Sequence, residues 1–180
     1  MRKIMLPLLC LFFLGASCQK DDAPKTAPPI TQENAFSCKI NGVLFIPEDH
    51  YHGFNPAAGI RSYILLDNSW SFRLADKRRD LYIYLYNVTA TGEYIVTASD
   101  GNHDFFGEIE NQAEMTDHYV PGATYVSVNN NEKIEVLELE LDTRIILQFD
   151  SITLVSDTDP EDVIVLTEGK LNINLETLAY

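Results

Sequence analysis

From Ala35 to the end of the chain, apolar and polar positions alternate with a period of two nearly throughout. That period turns one face of an extended strand inward and leaves the other to water. Phe36 to Ile40 and Val43 to Ile46 flank Asn41-Gly42, the pair best able to take the positive φ of a two-residue type I′ hairpin turn. Pro47 ends the second strand. Further strands are predicted at Arg61 to Leu66, Ser69 to Ala75, Leu81 to Val88, Tyr94 to Ala98, Thr124 to Val128, Lys133 to Leu141, Arg144 to Val155, Val163 to Thr167 and Lys170 to Glu176. No longer run carries the 3.6-residue period of an amphipathic helix. In Ile134 to Leu141 the apolar set changes parity at Val136-Leu137, and in Ile145 to Leu154 it changes again near Asp150-Ser151. Each change is expected of an extra residue bulging out so that the inward face is restored, which also bends the strand. The expectation is an all-β domain, an antiparallel β-sandwich or open barrel of about nine or ten strands, over residues 35–180.

The first 34 residues break this pattern. Arg2 and Lys3 precede an apolar stretch from Ile4 to Leu14, whose 11 residues are too few to cross a bilayer as a helix. With the small residues Gly15, Ala16 and Ser17 after it, residues 1–17 read as a secretory signal. Cys18 then offers a thiol for lipidation, so a lipid-anchored protein is expected, with ordinary secretion as the alternative. From Cys18 to Asn34 the chain is polar and contains Pro24, Pro28 and Pro29, which predicts a tether over residues 18–34.

Cys18-Gln19-Lys20-Asp21-Asp22 resembles the start of mature surface lipoproteins of Bacteroidota, in which Lys and acidic residues just after the lipidated Cys act as an export signal. Gly15 stands where such proteins usually have an aliphatic residue, with Leu14 one place back. The domain is also similar to a family of small, uncharacterised Bacteroidota lipoproteins. The likeness lies in Phe36-Ser-Cys-Lys-Ile-Asn-Gly-Val-Leu-Phe-Ile-Pro47, Thr91-Gly-Glu-Tyr94 and Thr167-Glu-Gly-Lys-Leu171. The chain departs from it at Leu147-Gln148-Phe149, where Gly-x-Phe is usual, and at Leu171, where an aromatic is usual. The resemblance implies an outer-membrane, lipid-anchored and surface-exposed location and the β fold, and carries no activity with it.

Charge narrows the partners. The chain has 13 Lys plus Arg against 27 Asp plus Glu, a formal charge of −14, and loss of Arg2 and Lys3 makes it 11 minus 27, or −16. Such a chain repels polyanions, so nucleic acid is excluded as a partner. Of its three cysteines, Cys10 leaves with the signal and Cys18 takes the lipid, so Cys38 has no disulfide partner and reads as a small buried apolar residue.

The candidate ligand-binding residues are Tyr82, Tyr84 and Tyr86, which alternate with Leu81, Ile83 and Leu85. Rings two residues apart can stack on sugars or fill a protein interface, and a central strand covered on both faces shows the same pattern. Asp100, Asn102 and Asp104 place oxygen ligands at the spacing that opens a calcium loop, but Phe105 and Asn111 stand where an EF-hand needs Gly and Glu. Asp157, Asp159, Glu161 and Asp162 make a second acidic loop, read as a solvated turn around Pro160. His50 and His52 could share zinc only with a third ligand such as His103 or His118. Lys77-Arg78-Arg79 lies between Asp76 and Asp80 and reads as a neutralised turn. No cofactor is expected beyond the calcium candidate, and no nucleophile, zinc-protease or phosphate-loop motif is present. The leading expectation is a non-enzymatic surface module that binds a glycan or protein. An extracellular hydrolase with an unrecognised site is the alternative.

Overall fold

The structure is a computed structural model that describes residues 25–52, 55–101, 110–120 and 123–179. Its strands are β1 (Ala35–Ile40), β2 (Val43–Phe45), β3 (His50–His52), β4 (Asn55–Ala57), β5 (Ile60–Leu65), β6 (Ser69–Ala75), β7 (Arg79–Leu85), β8 (Gly92–Ile95), β9 (Gln112–Asp117), β10 (Ala123–Ser127), β11 (Lys133–Glu140), β12 (Arg144–Ser156) and β13 (Val163–Asn174). The described residues hold no α-helix; a single 3-10 turn at Leu66–Asn68 links β5 to β6.

Nine strands run in the order β2-β1-β13-β12-β10-β9-β7-β6-β5, every neighbouring pair antiparallel, in a sheet that curls into a half-barrel. β11 and β8 branch from β12, and β3 with β4 forms a separate two-stranded ribbon. The all-β, antiparallel expectation holds. The curl follows from the alternation: Phe36, Trp70, Phe72, Leu81, Ile83, Met115, Ile134, Leu147, Ile152 and Leu171 all project from one face and meet in one fully buried core. Bending the sheet around that face removes more apolar surface from water than a flat sheet would.

The long strand β12 organises the middle of the molecule. It pairs with β13 along its whole length, while its first half pairs with β11 and its second half with β10. Both predicted parity changes are present. Leu137 is the extra residue of a bulge between Val136 and Glu138 and turns outward. At Asp150 the change has another form, because β13 shifts with β12: Phe149 faces Gly169, Ile152 faces Leu166, and all four are buried. The register between the two strands stays constant, and β13 carries its extra residue against β1 instead. Val163 to Thr167 and Lys170 to Glu176, expected as separate strands, are therefore one strand with Glu168 at a φ of 55° in its middle.

The hairpin turn is as expected, with Asn41 at φ 48° and Gly42 at φ 81°. Three strands were not anticipated: β3, β4 and β9. The stretch predicted to be a tether also behaves differently over its second half. The Ile30 carbonyl accepts from Asn172 Nδ2 at 2.9 Å, Asn34 Oδ1 accepts from the Asn174 N–H at 2.9 Å, and Lys25 pairs with Glu48. Residues 25–34 thus lie strapped to β13 and to the segment after β2. That segment bonds onward to the far edge, where the Glu48 N–H donates to the Ala75 carbonyl at 2.9 Å and the Ala75 N–H donates to the Gly59 carbonyl at 2.7 Å.

Candidate functional site

β7 sits between β6 and β9, and its two faces differ. Leu81, Ile83 and Leu85 are in the core, so the alternating tyrosines project from the opposite face. Register places Tyr82 between Arg73 and Glu114, and Tyr84 between Ser71 and Gln112. The three rings share a face but not an environment. Tyr84 is 2% exposed, whereas Tyr82 and Tyr86 are half-buried. They do not stand together as one open aromatic platform.

The sequence did not single out what surrounds them. Arg73 grips Asp80 with Nη2 at 3.0 and 2.9 Å from the two carboxylate oxygens, and also hydrogen-bonds the Tyr82 hydroxyl. His118 Nε2 lies 3.5 Å from the same carboxylate. Glu114, fully buried, accepts a hydrogen bond from the Ser99 hydroxyl. Burial would lower the Arg73 guanidinium, but the bonds to Asp80 and its charge outweigh this and hold it above its ordinary value. Tyr82 is also raised, by burial first and then by the charges of Asp80 and Glu114, with Arg73 opposing. Its hydroxyl is accordingly protonated and not a nucleophile at neutral pH.

Of the basic turn, Arg78 and Arg79 are paired with a carboxylate, and it is not one of those adjacent in sequence. Asp76 Oδ1 accepts from the backbone N–H groups of Arg78 and Arg79, both at 2.7 Å, which shapes the turn. The Arg78 and Arg79 side chains reach across to Asp117 at the end of β9, at 2.8 and 3.6 Å. Burial would raise Asp117, but the bonds from Arg78 and the Tyr119 N–H, with both arginine charges, hold its carboxyl below the usual range. Asp80 belongs to Arg73.

The remaining candidates that fall among the described residues form no common site. Asp100 is exposed beside Ser99, while Asn102, His103 and Asp104 lie outside the described residues, as do Cys18, Gln19, Lys20, Asp21 and Asp22. His50 is buried with Nδ1 at 3.0 Å from the Glu48 carbonyl, and His118 lies against Asp80. Among the described residues no group of three or more His, Cys, Asp or Glu is placed to hold a metal ion. In the second acidic loop Asp159 Oδ1 accepts from the Glu161 N–H at 3.0 Å, and Asp162 accepts from the Tyr125 hydroxyl at 2.8 Å. Those bonds give the loop a structural job. Cys38 is buried, and desolvation pushes its thiol up to about 12 despite the Arg79 charge, so the reactive thiolate is suppressed.

Among the described residues, the clefts open to solvent include two that bear on the candidates. One of about 360 Å³ lies beside the fork of β12 and is lined by Glu93, Glu132, Glu135 and Asp150. Its Glu132 is occupied by Ser151 and by the Thr153 hydroxyl at 2.8 Å. The other, of about 660 Å³, lies between Gly59 to Arg61 and the tail residues Thr177 to Ala179. Compared with known proteins, the chain matches no family model, no curated protein and no solved structure. The chemistry of the site therefore rests on its own side chains.

Proposed function

We propose that this chain is a lipid-anchored surface protein of the outer envelope whose β domain is a binding or accessory module for a glycan or protein, not an enzyme. The observation that carries this reading is the filled interior. The concave face of the half-barrel is occupied by its own core, from Trp70 and Phe72 to Leu147 and Ile152, each less than 2% exposed. A ligand is left the outer faces and the seam between the sheet edges, which suits contact with a large partner better than enclosure of a small substrate. The ion pairs on the β7 face support the same view, because Arg73, Arg78 and Arg79 are already committed to Asp80 and Asp117. Anchorage rests on Cys18 and the Gln19-Lys20-Asp21-Asp22 run that follows it.

Metabolic labelling with palmitate tests the anchor: label is expected on the parent and absent from a Cys18→Ala variant, and label persisting in that variant overturns it. Shaving of intact cells with protease tests display, and full protection of the domain counts against it. Hydrolysis is a second reading, favoured by one arrangement: Asp80, His118, Tyr82 and Glu114 converge on one face. An enzyme loses turnover in Asp80→Asn, Glu114→Gln or His118→Ala, whereas a binder keeps its ligand through each single replacement that leaves the fold intact.

A further inference from the structure

The strap over residues 25–34 is a bound segment whose fit is incomplete. None of its residues belongs to the buried hydrophobic core, which is packed without it. Polar ties hold it: the exposed Lys25–Glu48 pair, the Ile30 carbonyl on Asn172 Nδ2 at 2.9 Å, and the bonds of Glu33 and Asn34 to Asn174 and Thr177. At Thr26 to Pro29 a cleft of about 520 Å³ is left, with Phe36, Ile46, Pro47 and Ile60 among its other lining residues. No charged residue lines it, in a chain that is 22% charged.

One buried polar atom marks where the fit fails. Asn172 is 1% exposed, and its side-chain amide faces the strap: Nδ2 donates to the Ile30 carbonyl, while Oδ1, also buried, has no hydrogen-bond partner among the described residues. A primary amide presents a donor and an acceptor side by side, so it can hold the C=O and an N–H of an extended backbone with two hydrogen bonds. The strap supplies only the first. The residues before Ile30 are Pro28 and Pro29, which have no N–H to donate. Leaving a buried acceptor unpaired costs free energy, which a segment with N–H groups in those positions recovers.

We propose that the strap is a placeholder: the surface it covers, from Asn172 along the cleft to Ile46 and Ile60, receives an extended, uncharged, proline-free segment of a partner protein, which displaces residues 26–32. Such a segment makes both bonds to Asn172 and fills the cleft with side chains larger than Ala27. It is uncharged because a charge taken out of water against this lining finds no partner. The strap competes from within the same molecule, at an effective concentration of about millimolar for so short a connection. A segment that only repeats the strap's chemistry is therefore shut out, and one that makes the additional contacts enters. The inference rests on the binding-module reading and narrows its ligand from glycan or protein to a protein segment.

The test uses the mature full-length chain and two fluorescein-labelled heptapeptides: the strap sequence from Thr26 to Gln32, and the same sequence with Pro28→Val and Pro29→Val. Fluorescence anisotropy is expected to show the valine peptide binding about tenfold more tightly than the proline peptide. A Lys25→Ala, Glu33→Ala double variant loses strap ties at two exposed positions, leaves Asn172 and the cleft lining intact, and is expected to melt with the parent. It should bind the valine peptide about threefold more tightly still. In Asn172→Ala the preference for valine over proline is expected to fall to about twofold or less. Hydrogen exchange in the parent is expected to quicken across residues 30–32 when the valine peptide is added, with core amides unchanged, a readout that stands even where Asn172→Ala fails to fold. A valine preference kept without Asn172, no tightening in the double variant, or peptide binding with the strap still protected each overturns the proposal. Glycan-array binding without peptide binding overturns it while leaving the broader module standing, and absence of both removes both.

Discussion

Tyr84 and Tyr86 are one turn of the β period apart, and their environments differ by more than their chemistry. Tyr84 is 2% exposed between Ser71 and Gln112, while Tyr86 is half-buried at the end of β7. Truncating a buried aromatic costs the lost transfer energy and a residual cavity, so Tyr84→Ser is expected to destabilise the fold by about 3 kcal/mol. Tyr86→Ser should cost about 1 kcal/mol or less. Thermal melts of the two variants distinguish them, and equal melting would mean the rings are equivalent after all. Asp117 adds a pH signature. Its folded carboxyl lies below the ordinary 3.8, so its pairing stabilises the fold fully above that value and is lost as pH falls through the lowered folded value. The gap in urea midpoint between the parent and Asp117→Asn should be constant down to about pH 4 and close at lower pH. A gap that widens in acid would reverse the assigned shift.

Among the elements, the ones legible in advance were those whose side chains alternate between strongly apolar and polar. The Asn41-Gly42 turn and the bulge at Leu137 could be read because each is a local rule: one pair of residues that tolerates positive φ, one apolar residue out of phase. β9 escaped because its inward residues are the modest Ala113 and Met115, and its outward Gln112 and Glu114 are polar yet buried by tertiary packing. The pattern Gln112-Ala-Glu-Met-Thr was the one available signal. The ion pairs escaped for a related reason, since Arg73 with Asp80 and Arg78 with Asp117 depend on which strands are neighbours. The motif Thr167-Glu-Gly-Lys-Leu171 acquires a physical role. A Cβ on Gly169 would meet the Phe149 ring at 2.0 to 2.4 Å, so glycine is what lets that buried ring cross β13. Gly169→Ala is expected to destabilise by about 1–3 kcal/mol, and adding Phe149→Leu should recover part of that loss. Denaturant titration of both variants checks the coupling; simple additivity would refute it. Thr91-Gly-Glu-Tyr94 has a role of the same kind, with the Tyr94 hydroxyl donating to the Ala90 carbonyl at 2.7 Å.

At the scale of the whole molecule, the curl of the sheet came from a pattern visible in sequence, but its closing devices did not. Glu48 packs so tightly on Gly59 that a Cβ there would lie 2.6 Å from its backbone, a contact made between residues with no pattern in common. The strap over residues 25–34 was equally hidden, because proline and polar residues read as linker whether or not a neighbouring surface binds them. Its anchoring can be measured. Asn172→Ala removes the donor to the Ile30 carbonyl, and faster hydrogen exchange is expected across residues 26–34, with the core amides unchanged. Exchange unaltered in the strap would show that this bond does not hold it.

The strap also sets a length. If the lipid sits on Cys18, the chain from that anchor to Lys25 spans seven residues, at most about 25 Å fully stretched. A tether free to Asn34 would reach about twice as far. On that condition the domain is held on a short leash, with the Lys25–Glu48 pair as the tie nearest the anchor. A pull on the domain would then be carried first by the exposed Lys25–Glu48 pair and next by the Asn172 and Asn174 bonds to the strap. Those bonds form a breakaway coupling: parting them pays out roughly 30 Å of additional line before the load reaches the core.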